Sequence, residues 1–203
     1  MKRIVLGLMG IVLLCCASSQ ANILVSFNLD GNGNASVWET GLAATPFTAA
    51  IGPVNWITHS NNGQAIGATG FKTSGNYFTF TLTVGDGYIL NITDLHVDNA
   101  KENKLNSQHW DAWYKIGNGA LTAAGLNGNV AETWDSEIKT MPVLGNLQNT
   151  NVTFRIAPTS ASDNTKHWYV DNVTLSGTIT ATPEPATVAI LALGGQALLR
   201  KRK

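Results

Sequence analysis

The chain has 203 residues, and its 13 Lys and Arg balance 13 Asp and Glu to a formal net charge of zero. A chain with no basic excess and no basic stripe has little to offer a phosphate backbone, so no nucleic-acid partner is expected. Its two cysteines, Cys15 and Cys16, sit side by side near the start, so residues 22–203 hold no disulfide, thiolate metal site or cysteine nucleophile.

Residues 1–21 have the three parts of a secretory signal peptide: Lys2 and Arg3, an apolar run over 4–16, and small residues closing at Ser19-Gln20-Ala21. The apolar run is short for a bilayer span, which favours cleavage after Ala21 over a permanent anchor. Neither cysteine follows the small residue that lipoprotein processing uses, so both leave with the signal. Setting the two ends aside changes the charge: residues 22–181 hold seven Lys and Arg against twelve Asp and Glu, a net −5. About 160 residues suffice for one domain with a core of its own.

Within 22–181 there is no heptad, no long 3.6-residue period and no repeat, only short β-rich runs parted by Gly, Asn, Ser and Thr. Residues 23–29 read as a first strand, broken by the turn Asp30-Gly31-Asn32-Gly33-Asn34. Short strands follow over 47–51 and 54–58, on either side of Gly52-Pro53. Residues 77–84 alternate cleanly, with Phe78, Phe80, Leu82 and Val84 on one face and Tyr77, Thr79, Thr81 and Thr83 on the other. Gly85-Asp86-Gly87 then turns into a strand over 88–97, completing a hairpin with Leu95 and Val97 inward and Asp94, His96 and Asp98 outward. Over 109–116, Trp110, Ala112, Tyr114 and Ile116 share one face, while His109, Asp111, Trp113 and Lys115 share the other. That division predicts one buried tryptophan and one at the surface. Residues 151–156 and 167–179 supply the last strands. Ten or so strands with no helix between the two ends predict an all-β, two-sheet antiparallel sandwich of the jelly-roll kind, flanked by a signal helix and a C-terminal transmembrane-type helix.

The last segment, 182–203, reads Pro183-Glu184-Pro185, then an apolar stretch over 186–199 broken only by Thr187 and Gln196, then Arg200, Lys201, Arg202 and Lys203. Pro185 suits a first helical position. Fourteen helical residues rise roughly 21 Å, short of a hydrocarbon core of about 30 Å, and the four cations can snorkel to pin the end on the cytoplasmic side. This layout resembles the PEP-CTERM sorting signal of Gram-negative bacteria, although Gln196 departs from the purely apolar run of that family. The resemblance implies an exosortase as processing partner, a transient hold on the inner membrane, and delivery of residues 22–181 to the cell surface or the extracellular matrix. Such signals accompany exopolysaccharide production, which implies a structural or glycan-associated, non-enzymatic role.

Three further runs carry a second resemblance. The segments YFTFTLTVGDGYILNITDLHVD, NVTFRI and WYVDNVTLSGTI look like the body of uncharacterised PEP-CTERM passengers. WYVDNVTLSG is also similar to the last strand of carbohydrate-binding modules of the galactose-binding-like type. In those modules the aspartate matching Asp171 helps hold a structural calcium ion. Asp30, Asn32 and Asn34 add oxygen donors at alternate positions, though not at EF-hand spacing, and first and last strands that are neighbours would bring Asp30 towards Asp171. The competing reading is a turn whose Asx side chains bond their own backbone.

Six tryptophans make a high aromatic load, and a flat, accessible indole stacks on the apolar face of a sugar. Trp113 and Trp134 are the sugar-binding candidates, with His109, Asp111 and Asp135 as polar neighbours; packing in the core is the competing use for each indole. The motifs of serine hydrolases, zinc peptidases, phosphate loops and dinucleotide folds are absent from the sequence. Asp94, His96 and Asp98 on one strand face formally allow metal or base chemistry, and Glu132, Asp135 and Glu137 could include a polysaccharide hydrolase or lyase pair. The Asn-x-Ser/Thr triplets at Asn34, Asn91, Asn151 and Asn172 follow from an Asn- and Thr-rich composition and need no glycan. No catalytic residue and no cofactor other than the calcium ion is expected.

Overall fold

Fourteen strands and no helix make up the residues that a computed structural model describes, 21–182 without 38, 51–53, 60–62, 72–75, 104 and 108. The expected signal peptide, up to residue 20, and the expected sorting signal from Pro183, including Glu184, Pro185, Arg200, Lys201, Arg202 and Lys203, lie outside the described residues, as does Trp38. Among the described residues no helix is long and apolar enough to cross a membrane.

The strands are β1 (Asn22–Phe27), β2 (Ser36–Val37), β3 (Leu42–Ala44), β4 (Thr48–Ala49), β5 (Asn55–His59), β6 (Gly63–Ala68) and β7 (Phe78–Val84). There follow β8 (Tyr88–Lys101), β9 (His109–Ile116), β10 (Thr122–Ala123), β11 (Gly128–Asn129), β12 (Asp135–Leu147), β13 (Asn151–Pro158) and β14 (Trp168–Ala181). One sheet runs β12-β8-β14-β1-β2, with β6 pairing β14 and β5 pairing β6; the other runs β10-β9-β13-β7-β3, with β11 on β9 and β4 on β7. Every pairing is antiparallel. The expected all-β sandwich is therefore the fold.

Period-two alternation builds it. In β7 the inward set Phe78, Phe80, Leu82 and Val84 is buried, and in β13 Val152, Phe154 and Ile156 face the same interior. Phenylalanines bridge the two sheets: Phe27 of β1 meets Phe80 at 4.8 Å between ring centroids, Phe80 stacks on Phe154 at 5.1 Å, and Phe78 meets Trp168 of β14 at 5.6 Å. Burying such side chains contributes roughly 1.5–3 kcal/mol each.

Two buried indoles carry a polar handle that must be satisfied inside. Trp110 Nε1 donates to Glu137 Oε2 at 3.2 Å, and Trp168 Nε1 donates to Asn99 Oδ1 at 3.1 Å. Trp110 and Trp168 are thus core residues, while Trp56, Trp113 and Trp134 are half-buried.

The strand expectations need four corrections. The expected hairpin of β7 with β8 does not form: β7 pairs β13, β3 and β4 in one sheet while β8 pairs β12 and β14 in the other, so Gly85-Asp86-Gly87 crosses between the sheets. Among the described residues of the run over 47–51, only Thr48–Ala49 is strand, and Phe47 instead drops into the core. On the face of β9 that carries Trp110 and Ala112, Tyr114 is half-buried and packs against the core, but Ile116 at the strand's end is exposed. The long strand β12 and the strand β6 have no counterpart in the sequence reading. Strand β12 pairs on one side only, at the sheet edge, and its Ile138 is 71% exposed, so no apolar period marks it.

Candidate functional site

On the outer face of the second sheet, strands β7, β13 and β9 lie side by side, and their outward positions form cross-strand rows. Register places Thr79, Arg155 and Trp113 in one row, and Asp111 opposite Ala157 in the next. Trp113 also pairs with Ala123 of β10, which carries exposed Leu121 to the groove's rim. The result is a groove of about 400 Å³. Tyr77, Trp113, Phe71, Leu121 and Pro158 give it apolar walls; Asn76, Thr159, Ser160 and Arg155 are its polar lining. Asn76 is held in place by donating to the carbonyls of Thr69 and Gly70. The Arg155 guanidinium lies over the Tyr77 ring, 4.1 Å from its centroid, a cation–π contact that fixes both side chains.

Of the predicted sugar-binding residues, the structure brings His109, Asp111 and Trp113 onto this one face of β9. Burial raises the Asp111 carboxyl, and the neighbouring His109 acts in the opposite sense. Trp134 and Asp135 are elsewhere, at the start of β12 in the other sheet. Tyr77 and Arg155, central to the groove, were not among the candidates. Their only sequence signal is an outward position beside inward Phe78 and Phe154.

Of the carboxylates considered for catalysis, Glu137, Asp94 and Asp98 are engaged by neighbouring groups. Glu137 Oε2 accepts from Trp110 Nε1 and from Asn129 N at 2.8 Å, and its Oε1 lies 3.2 Å from Lys139 Nζ. Glu132 is exposed and Asp135 half-buried. On the outer face of β8, His96 Nε2 lies 3.0 Å from Asp98 Oδ1 and 2.9 Å from Ser136 Oγ. A relay would need the hydroxyl on one ring nitrogen and the carboxylate on the other. Here both meet the same nitrogen, so the trio cannot pass a proton along the ring. Asp94 accepts from the Thr93 hydroxyl at 2.7 Å.

The predicted calcium donors lie on the turn after β1 and on β14. Strand β1 pairs with β14, Phe27 opposite Val173, and this sets Asp30 near Asp171. Asp171 is fully buried and pairs in register with Asp98. Burial, and the charges of Asp30 and Asp98, push its carboxyl up to about 7 against the opposing Asn172 amide bond. Asn32 and Asn34 instead form the Asx turn: Asn34 N donates to Asn32 Oδ1 at 2.9 Å. Asp30 Oδ1 accepts from Gln64 N at 2.8 Å. Asp30 and Asp171 have the oxygen chemistry a hard cation takes. Among the described residues no group of three or more His, Cys, Asp or Glu is arranged to hold a metal ion.

One polar cluster gave no sequence signal. Glu102 accepts from the His167 amide and from the Tyr169 hydroxyl, both at 3.1 Å, and His167 Nε2 lies 2.6 Å from Asn55 Nδ2. Burial and the Glu102 charge push the Tyr169 hydroxyl up to about 12. The cluster fastens the segment after β8 to the start of β14.

No family model matches the chain, and no curated protein matches it. Solved structures do. The CBM22-1 xylan-binding domain from Paenibacillus barcinonensis Xyn10C superposes with a TM-score of 0.49 at 13% identity, over 78% of this chain and 96% of that one. The CBM22-1-GH10 modules of a Clostridium thermocellum xylanase, complexed with xylohexaose, give 0.48 at 10% identity over 78% of this chain, which spans 29% of theirs. A family 35 carbohydrate-binding module from Clostridium thermocellum gives 0.41 at 16% identity, over 64% and 91% of the two chains. At these scores and identities no residue-by-residue correspondence follows.

Proposed function

We propose that this chain is an exported, non-enzymatic β-sandwich of the bacterial surface or matrix that associates with polysaccharide through the groove around Trp113. The carrying observation is the groove itself, with Tyr77 and Trp113 on one sheet face and hydroxyl and amide groups of Thr159, Ser160 and Asn76 along its lining. A sugar ring has an apolar C–H face and an equatorial belt of hydroxyls. Aromatic side chains take the first and polar side chains the second. A glycoside hydrolase of the two-carboxylate kind needs facing carboxyl groups in the cleft, and none of the groove's lining residues is acidic. The exosortase route, through cleavage near Pro183-Glu184-Pro185, rests on the sequence of residues 182–203.

The test is polysaccharide binding by the full chain in detergent, measured on a panel of bacterial and plant polymers. Trp113→Ala and Tyr77→Ala should each weaken binding at least tenfold, while Trp134→Ala should leave it unchanged. Binding that survives loss of Trp113 would remove the groove from the account. Replacing Pro183 and Pro185 and following the protein by cell fractionation tests the route: retention at the inner membrane is expected, and unaltered release would refute it.

A further inference from the structure

We infer that the groove selects an anionic polysaccharide, one carrying carboxylates, with Arg155 as the anion's anchor. The inference rests on the glycan reading above and goes beyond it to the class of polymer. Residues 22–181 carry a net −5, so the surface as a whole repels a polyanion. Against that background the groove has a cation and no acid in its lining. The ion pairs of the described residues join His96 to Asp98, Lys139 to Glu137 and His167 to Glu102, and Arg155 takes part in none of these.

The geometry suits capture of an anion. The guanidinium carbon lies 4.1 Å from the centroid of the Tyr77 ring, a distance that suits stacking through the flat face, and such stacking leaves the N–H edge for hydrogen bonds. That edge matches the two oxygens of a carboxylate in a bidentate pair. Trp113 sits opposite Arg155 across the β9–β13 ladder, so a pyranose ring stacked on the indole has its substituents within one strand spacing of the cation. The charged groups beside the groove on β9 are Asp111 and Lys115, flanking Trp113 on either side, so they offset each other and Arg155 sets the local sign.

The full chain is assayed against polygalacturonate, alginate and hyaluronan, each beside its own methyl ester, which keeps the backbone and removes the charge. Dextran sulfate supplies a polyanion without carboxylates. Acidic forms of at least one polymer should bind about tenfold or more tightly than their esters, the effect of a charge-assisted bidentate pair. Arg155→Gln should erase that preference, Arg155→Lys should keep part of it, and Trp113→Ala should weaken acid and ester alike. Melting temperatures of both Arg155 variants control for folding. Equal, Trp113-dependent binding of acid and ester would overturn the inference and leave the glycan reading standing. Binding of dextran sulfate as tightly as the best carboxylate polymer would assign Arg155 to general charge attraction and also overturn it. No binding to any polymer would take down both.

Discussion

Asp171→Asn is the substitution with the most direct physical consequence. The Asp171 carboxyl is fully buried and crowded by Asp30 and Asp98, and it titrates at about 7 instead of 3.8. A carboxyl whose folded value is raised stabilises the fold fully below its unfolded value, and that contribution is lost as pH rises through the folded value. The window is therefore from about pH 4 to about pH 7, and at about 1.4 kcal/mol per tenfold the loss is about 4 kcal/mol. Asparagine keeps an acceptor for the Asn172 amide, which donates to Asp171 Oδ1 at 2.7 Å, and never becomes charged. Its extra N–H groups must also be housed, so a net gain of about 2 kcal/mol at pH 8 is expected. Urea unfolding of both proteins at pH 4, 5, 6, 7 and 8 measures the difference. It should be small or negative at pH 4 and grow in the variant's favour up to pH 8. A difference that stays flat with pH, or that runs the other way, would refute the reasoning. A cation between Asp30 and Asp171 relieves the same charge by another means. Its signature is a rise in wild-type stability at pH 8 on adding calcium, reversed by a chelator and absent from the variant.

Gly63 holds φ at +95°, and a Cβ there would overlap the Asp30 carboxylate, so Gly63→Ala should cost about 2 kcal/mol or more by denaturant midpoint. Glu137→Ala leaves the buried Trp110 N–H and the Asn129 amide without their acceptor and should cost about 1–3 kcal/mol, whereas Glu137→Gln should recover most of it. Phe80 touches Phe27, Phe47 and Phe154 across the interior, so Phe80→Ala should cost about 3–5 kcal/mol, read as a lowered melting temperature.

What the sequence could reveal followed from how much of each strand was half-buried. Strands β7 and β8 alternate because one face is core and the other solvent, so each strand was legible residue by residue; their pairing was not, because Gly85-Asp86-Gly87 carries the chain from one sheet to the other instead of closing a hairpin. Strand β12 was not. It lies at the edge, carries Pro142 and Gly145, and pairs with β8 through register shifts on either side of Leu144. Proline is tolerated in such an edge strand, so no rule marked the segment. At the site, Trp113 could be placed outward from its alternation with Trp110 and Ala112. Arg155 and Tyr77 could not be joined to it, because β13 lies between β7 and β9, an order that no local pattern carries. Asp30 and Asp171 were foreseeable neighbours once the first and last strands were taken as partners. Asn32 and Asn34 are joined by a two-residue hydrogen bond that any Asx-rich turn can make.

The pairing of β1 with β14 has a mechanical side. Asn22 stands opposite Gly177, and β14 continues to Ala181, so both strand ends emerge at the same pole of the sandwich. Tension applied between them opens the ladder as a zipper, one hydrogen bond at a time, whereas shear would share the load across all of them. Strand β1 supplies Leu24, Val25 and Phe27 to the interior, so its removal uncovers the aromatic bridge between the sheets. A domain hung by one end is spared that load; one stretched between two holdfasts would give way at its first strand.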